Sequence, residues 1–460
     1  METITLAMGR LFGTNGVRGI ANKELTLELV TRLASSCGHV LGKEIALGRD
    51  GRVTSPLFRD AAASGLLSVG CNVHELGILP TPALQYAVKR LGLDGGLMIT
   101  ASHNPPEFNG VKVMASDGVE ISRGVEDEIE ALYFAGGPKA AEWDKVGKVR
   151  SREVLDLYVD EVVSKVDAPL IRSKRLKVAL DPGNGVGTLV APTVAQRLGC
   201  QVYTINAELD GRFPGRQSEP RPDNLGGLKE LVKATGSDIG VAFDGDADRS
   251  IFLDERGEVL WGDRSFALIA SYYMGKHPGA RVATAVSSSS AIVDVVEAAG
   301  GSIYWTRVGS VDVSRAMVEN GIDFGGEENG GVMYGLHHPV RDGSMTMALI
   351  LAIIAEGGKP LSGLVAELPT YAQAKDKVRC PNELKQKVLE SLRTKVAAPR
   401  VDTMDGLKLV FEDGSWILVR PSGTEPIFRL YAEADTQPKV EKLVSENKKT
   451  IEDTVNALSA

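Results

Sequence analysis

Four stretches of this chain carry residue types that could do chemistry. In T-A-S-H-N-P (Thr100 to Pro105) the hydroxyl of Ser102 stands beside the imidazole of His103, between an apolar strand at Leu97–Thr100 and another at Val111–Met114. Pro105 and Pro106 fix their own φ and push the preceding residues out of the helical region, which predicts a stiff, exposed turn. Such a serine could be a covalent nucleophile at a strand end, or part of an Asx/Ser turn that only satisfies the backbone. The stretch alone leaves both readings open. In D-G-D-A-D-R, Asp244, Asp246 and Asp248 alternate, so at an extended strand end all three would face one way. Carboxylates that close raise one another's pKa unless a cation sits between them. With no His or Cys nearby, a hard divalent ion, Mg²⁺ before zinc, fits the oxygen donors. A calcium loop of the EF-hand type is excluded because Arg249 stands where that loop needs glycine.

The third stretch, R-P-S-G-T-E-P followed by Arg429, offers forked donors from Arg420, hydroxyls from Ser422 and Thr424, and open backbone at Gly423. Those groups form a cup for a phosphate dianion, whereas a plain hairpin turn would need neither the two arginines nor the threonine. Glu327 and Asn329, in the glycine-rich G-G-E-E-N-G-G-V, suit vicinal sugar hydroxyls but carry little by themselves. Nearer the start, L-F-G-T-N-G-V-R-G sets one cation, Arg18, in a glycine-punctuated loop that taken alone reads as a turn before the helix Thr26–Leu41.

The elements that must position these stretches alternate. Strands are predicted at Glu44–Gly48, Asn72–Ile78, Lys177–Asp181, Ile239–Phe243, Arg281–Val286, Ser302–Thr306 and Asp323–Gly325. Helices or loops stand between them, with Arg49–Ser55 and Leu79–Pro82 read as loops. Alternation of this kind indicates α/β layers on mostly parallel sheets. Three successive segments share the layout, a weak internal repeat. After Pro369 the pattern changes to two helices on an antiparallel sheet, an α+β unit. The fold class expected is α/β: three similar mixed α/β domains plus a C-terminal α+β domain around a central cleft. The divisions fall at 1–153, 154–255, 256–368 and 369–460.

A chain of 460 residues is too long for one core and implies about three or four domains. No run approaches the ~18 apolar residues of a membrane span, and Met1–Arg10 holds no sustained apolar segment, so neither membrane nor secretory signal is expected. Four scattered cysteines lack metal spacing and suit the reducing cytoplasm. A net charge of −8 argues against nucleic acid, so an anionic substrate needs a local basic pocket.

Taken together and in this order, the four stretches resemble the motifs of the α-D-phosphohexomutase family, and the resemblance covers essentially the whole chain. It implies that a hexose 6-phosphate and a hexose 1-phosphate interconvert through phospho-Ser102 and a hexose 1,6-bisphosphate, which is also the activator. It implies one Mg²⁺ bridging Ser102 with Asp244, Asp246 and Asp248. Arg18 and Arg249 would stabilise the transferring charge, and His103 or Lys112 would serve as acid and base. Substrate contacts would come from Thr306, Gly309, Glu327, Asn329, Arg420, Ser422, Gly423, Thr424 and Arg429. The partner implied is a small-molecule sugar phosphate, with no nucleic acid or membrane; a homodimer or other homo-oligomer is left open.

F-G-T-N-G-V-R-G (Phe12 to Gly19) resembles the opening motif of phosphoglucosamine mutases, which points to glucosamine 6-phosphate and glucosamine 1-phosphate. The alternative is a phosphomannomutase/phosphoglucomutase of broad preference, because the sugar loop departs from the bacterial G-E-Q-S-G-H and G-E-M-S-G-H patterns. Asn329 stands in place of their serine and Gly331 in place of their histidine, a form similar to archaeal members. T-R-V-G-S (Thr306 to Ser310) also lacks the family's usual His or Asp after the glycine. A non-catalytic sugar-phosphate sensor would be expected to lose Ser102 or part of the Asp triad, and neither is lost.

Overall fold

Three of the four sheets repeat one arrangement of strands. The computed structural model describes residues 10–395, 398–422 and 425–459; the reading of the first nine residues, and the cup residues Gly423 and Thr424, fall outside that range. The first sheet contains β1 (Val17–Ile20), β2 (Glu44–Arg49), β3 (Asn72–Ile78), β4 (Gly95–Ile99), β5 (Phe108–Ala115) and β6 (Val149–Ser151). Its order is β1-β5-β4-β2-β3-β6, with β2 parallel to β3 and β4, and β5 antiparallel to β4 and β1. The second sheet contains β7 (Lys177–Asp181), β8 (Gln201–Thr204), β9 (Ile239–Phe243), β10 (Ser250–Leu253) and β11 (Val259–Leu260). The third contains β12 (Arg281–Ala285), β13 (Ser302–Thr306), β14 (Phe324–Gly326), β15 (Val332–Tyr334) and β16 (His338–Arg341).

Their orders, β11-β10-β9-β7-β8 and β13-β12-β14-β15-β16, are the same pattern read from opposite edges. In both, the first strand is flanked in parallel by the next two, and the third turns back on an antiparallel neighbour. The repeat expected from layout is thus a repeat of topology. The sheets are mixed, not mostly parallel, because β4–β5, β9–β10 and β14–β15 are joined by loops too short for a crossover.

Local chemistry sets the ends. Thr26 accepts from the Leu29 amide and caps the helix Leu27–Leu41. Leu79–Pro82, expected as a loop, instead opens a helix at Thr81–Leu91: Pro82 lies in its first turn, where a missing N–H costs nothing, and Gly92 ends it in the left-handed region. The helix Gly343–Gly357 is apolar all round and buried through most of its length, in the core shared by the first three units.

The fourth sheet, β17 (Ala372–Arg379), β18 (Arg400–Asp402), β19 (Leu407–Val410), β20 (Trp416–Pro421) and β21 (Ile427–Ala434), runs β17-β21-β20-β19-β18 with helices Lys385–Lys395 and Gln437–Ser459. β17 escapes sequence reasoning because A-Q-A-K-D-K-V-R is charged, as an edge strand should be, and is held by full pairing with β21. This unit has its own core and docks on the third through Val286, Trp416 and Leu418. Among the described residues, no helix is long and apolar enough to cross a membrane.

Candidate active site

The loops after β4, β9 and β14, with strands β20 and β21, contribute to one region. Its cleft, about 740 Å³, is lined by Ser102 and His103 from the first loop, Arg249 from the second, Glu327, Glu328 and Asn329 from the third, and Arg420 and Arg429 from β20 and β21. The opening loop joins them: Gly13, Thr14, Asn15, Gly16 and Arg18 also line the cleft, so that stretch is more than a turn before a helix.

Ser102 does not sit on an exposed turn. It is 1% exposed, and its φ of 51° places a non-glycine residue in the left-handed region. What holds it there is Arg52, a fully buried side chain from the loop between β2 and the helix Ser55–Ser68. Its Nε donates to Asp50 Oδ2 at 3.0 Å, and its two Nη groups donate to the carbonyls of Ser102 (2.7 Å), Asn104 (2.6 Å), Pro105 (2.6 Å) and Phe108 (3.0 Å). Thr100 Oγ1 links the same Asp50 to the Ser102 amide. From the second unit, Ser218 Oγ donates to the carbonyls of His103 and Asn104. Ser102 Oγ then donates to Asp244 Oδ2 at 3.0 Å and lies 3.4 Å from His103 Nδ1. Burial, with Arg249 and Arg18 close by, holds the imidazole pKa well below its ordinary value, so His103 is neutral.

The acidic loop is a turn, not an extended strand end. Ala247 takes φ 58°, and the three carboxylates converge because the loop coils. Gly245 is required there: a Cβ would lie 2.5 Å from the Ser102 carbonyl oxygen. One ligand oxygen from each of Asp244, Asp246 and Asp248 lies within 4.8 Å of the others, all buried. Lys112, which does not reach the cleft, donates to Asp246 Oδ2 at 2.6 Å and Asp248 Oδ2 at 2.9 Å, and Thr81 Oγ1 donates to Asp246 Oδ2 at 2.5 Å. Burial first, then the charges of Asp248 and Asp246, push Asp244 up to about 7. Burial would raise Asp248 as well, but Arg341, Lys112 and Arg249 together hold it below the usual range. Asp246 Oδ1 and Asp248 Oδ1 are buried with no hydrogen-bond partner among the described residues. Two orphaned oxygens in an all-oxygen set fit a hard divalent cation such as Mg²⁺.

On the sugar loop, Glu327 Oε2 accepts from Arg341 at 3.3 Å, and Asn329 Oδ1 accepts from the Gly331 amide. Gly309 lines the cleft, whereas Thr306 is buried behind it, its hydroxyl on the Arg307 carbonyl. In the fourth unit Arg420 Nε donates to Asp405 Oδ2 at 2.6 Å and Nη2 to the Val308 carbonyl. Arg429 pairs with Glu425, and Ser422 Oγ accepts from the Glu425 amide.

Sequence reasoning missed Arg52, Arg341, Glu328, Lys375 and Asp405. R-D-G-R at Arg49–Arg52 was a readable signal for the first, an acid and a cation just past a strand. Lys375, whose Nζ donates to Glu328 Oε1 at 3.1 Å, was not readable, because its strand looks like surface.

The chain matches the phosphoglucomutase/phosphomannomutase family in four consecutive stretches: alpha/beta/alpha domain I over residues 9–139, domain II over 156–257, domain III over 261–371 and the C-terminal domain over 377–450. It is 42% identical over 455 residues to a phosphoglucomutase/phosphomannomutase of Thermococcus kodakarensis, covering 97% of this chain and 99% of that protein. It is 46% identical over 456 residues to a phosphoglucosamine/phosphogalactosamine mutase of Sulfurisphaera tokodaii, covering 97% and 100%. The crystal structure of a phosphoglucomutase/phosphomannomutase family protein from Burkholderia thailandensis superposes with a TM-score of 0.87 at 27% identity, covering 96% of this chain and 97% of that one. Fold, motif order and relatives agree: the chain belongs to the phosphoglucomutase/phosphomannomutase family and is a phosphohexomutase.

Proposed function

We propose that the enzyme interconverts a hexose 6-phosphate and a hexose 1-phosphate through phospho-Ser102 and a hexose 1,6-bisphosphate, with glucosamine phosphate the preferred sugar. The observation that carries this is the placement of Ser102 Oγ, buried beside Asp244 and opening on a cleft that also holds Arg420 and Arg429. Arg18 Nε and Arg249 Nη2 are buried donors without a partner among the described residues, which supports an anionic group beside the serine.

In the forward half-reaction the bond between phosphorus and Ser102 Oγ breaks as the sugar hydroxyl bonds to phosphorus. The hydroxyl proton passes to His103, neutral and able to accept it, and on to the departing Ser102 Oγ 3.4 Å from the ring. Arg249 and Arg18 hold the transferring oxygens. After the bisphosphate turns end for end, its other phosphoryl group leaves the sugar oxygen for Ser102 Oγ, and the serine proton passes through His103 to that product oxygen. Arg420 and Arg429 grip whichever phosphate is not reacting. Asp244, Asp246 and Asp248 would hold Mg²⁺ together with the phosphorylated Ser102; bound there, the ion supplies charge neutralisation at the phosphoryl group. Lys112, already bridging two of the carboxylates, fits a charge-balancing role better than an acid/base one. The divisions at 1–153, 154–255, 256–368 and 369–460 give each unit one loop: serine, metal, sugar and distal phosphate.

Glucosamine phosphate is favoured by the F-G-T-N-G-V-R-G opening and by two carboxylates, Glu327 and Glu328, able to accept from an amine. The test assays glucosamine, glucose and mannose 6-phosphates side by side, primed with the matching bisphosphate and with a pentose phosphate as control. The highest kcat/KM for glucosamine phosphate is expected. Equal turnover of all three hexoses would support the broad-preference alternative.

A further inference from the structure

The glycine at 331, where the bacterial pattern has histidine, has a cause in the structure. Gly331 is not in the left-handed region, so its backbone would accept any residue; what forbids a side chain is space. A Cβ there would overlap Arg341 Cδ and stand 3.0 Å from its Cγ. Arg341 ends β16, directly opposite Met333 on the strand that leaves the sugar loop. Its Nη2 donates to Asp248 Oδ2 at 2.5 Å and its Nη1 to Glu327 Oε2 at 3.3 Å. Its Nε is buried without a partner among the described residues, and the side chain lines the cleft.

We propose that Arg341 is a positioning residue of the sugar site: its guanidinium ties Glu327 to the acidic loop, and its bulk sets glycine at position 331. The proposal rests on the mutase reading above. One planar fork spanning the two loops fixes the sugar carboxylate relative to the reacting serine, which a lysine point charge can do at only one of the two contacts. Sugar binding should therefore depend on the pair 331/341 as a unit.

The test measures KM and kcat for glucosamine 6-phosphate, and calorimetric binding of glucose 1,6-bisphosphate, in Arg341→Ala, Arg341→Lys, Gly331→His and the double variant Gly331→His/Arg341→Ala. Arg341→Ala should raise KM and weaken bisphosphate binding by about tenfold or more, with kcat falling less. Arg341→Lys should recover part of the loss. Gly331→His, which displaces the arginine, should resemble Arg341→Ala, and in the double variant the second change should add little. Losses that simply add, or an Arg341→Ala variant with KM and binding within about twofold of the parent, would overturn the proposal. Should Arg341→Ala not fold, the Arg341→Lys and Gly331→His arms decide alone: parent-like KM in both overturns it. Failure of the mutase reading looks different, since the unmodified enzyme would then neither turn over nor bind the bisphosphate.

Discussion

Around Ser102 a single buried arginine donates to four carbonyls between Ser102 and Phe108, and a second unit adds two more hydrogen bonds from Ser218. Around Arg420 the corresponding partners among the described residues are one carboxylate, Asp405, and one carbonyl, and Arg429 is half-exposed. Both regions are proposed to meet a phosphate, yet one is over-determined and the other is lightly tethered. The difference follows from what each must do. Phosphoryl transfer at Ser102, as proposed, needs a fixed nucleophile. On the proposed mechanism the distal cup would accept the 1-phosphate in one half-reaction and the 6-phosphate in the other, and so would gain from a guanidinium that one carboxylate only parks.

The comparison can be broken first at Arg52. Arg52→Met leaves Asp50 buried without its cation and takes one donor from each of four carbonyls, a loss of roughly 3–5 kcal/mol in stability. Chemical denaturation should show it, with activity below detection; a variant as stable as the parent would mean the loop is held by something else. Ser102→Ala should abolish turnover while costing only about 1 kcal/mol, the net worth of one hydrogen bond. Its tolerance comes not from exposure but from alanine fitting the same space. Turnover near the parent's, with bisphosphate supplied, would contradict the covalent route.

Arg420→Ala should raise KM for sugar phosphate by roughly tenfold to a hundredfold with a smaller fall in kcat, as loss of binding shared by ground and transition states requires. Unchanged KM with collapsed kcat would instead place Arg420 at the reacting phosphoryl group. The smallest effect is a pH slope. Asp244 is raised to about 7 when folded, so the metal-free protein gains stability in acid, fully below the unfolded pKa near 4, and loses it as pH rises through 7. The midpoint for denaturation without metal should fall between pH 5 and 7 and level off above. Asp244→Asn should flatten that slope, and persistence of the full slope in the variant would assign it elsewhere.

Most of the fold was legible because strand and helix periods alternate cleanly, and the Asp triad and Ser102 were legible because their spacing is local. The helix at Thr81–Leu91 was hidden by prolines that read as a loop but sit in a first turn. β17 was hidden by its charges. Arg52, Arg341 and Lys375 act across long sequence separations, and nothing local marks the group each will meet. Lys112 was placed near the chemistry, but its partners lie in another unit and only the packing of the two sheets reveals them.

The central claim is that Ser102 carries the phosphoryl group. Intact mass and peptide mapping after incubation with glucose 1,6-bisphosphate and Mg²⁺ test it directly. The account predicts a gain of one phosphoryl group, located on Ser102, lost in Ser102→Ala and discharged on adding a hexose phosphate substrate. A catalytically active protein that never gains that mass, or gains it on another residue, would contradict it.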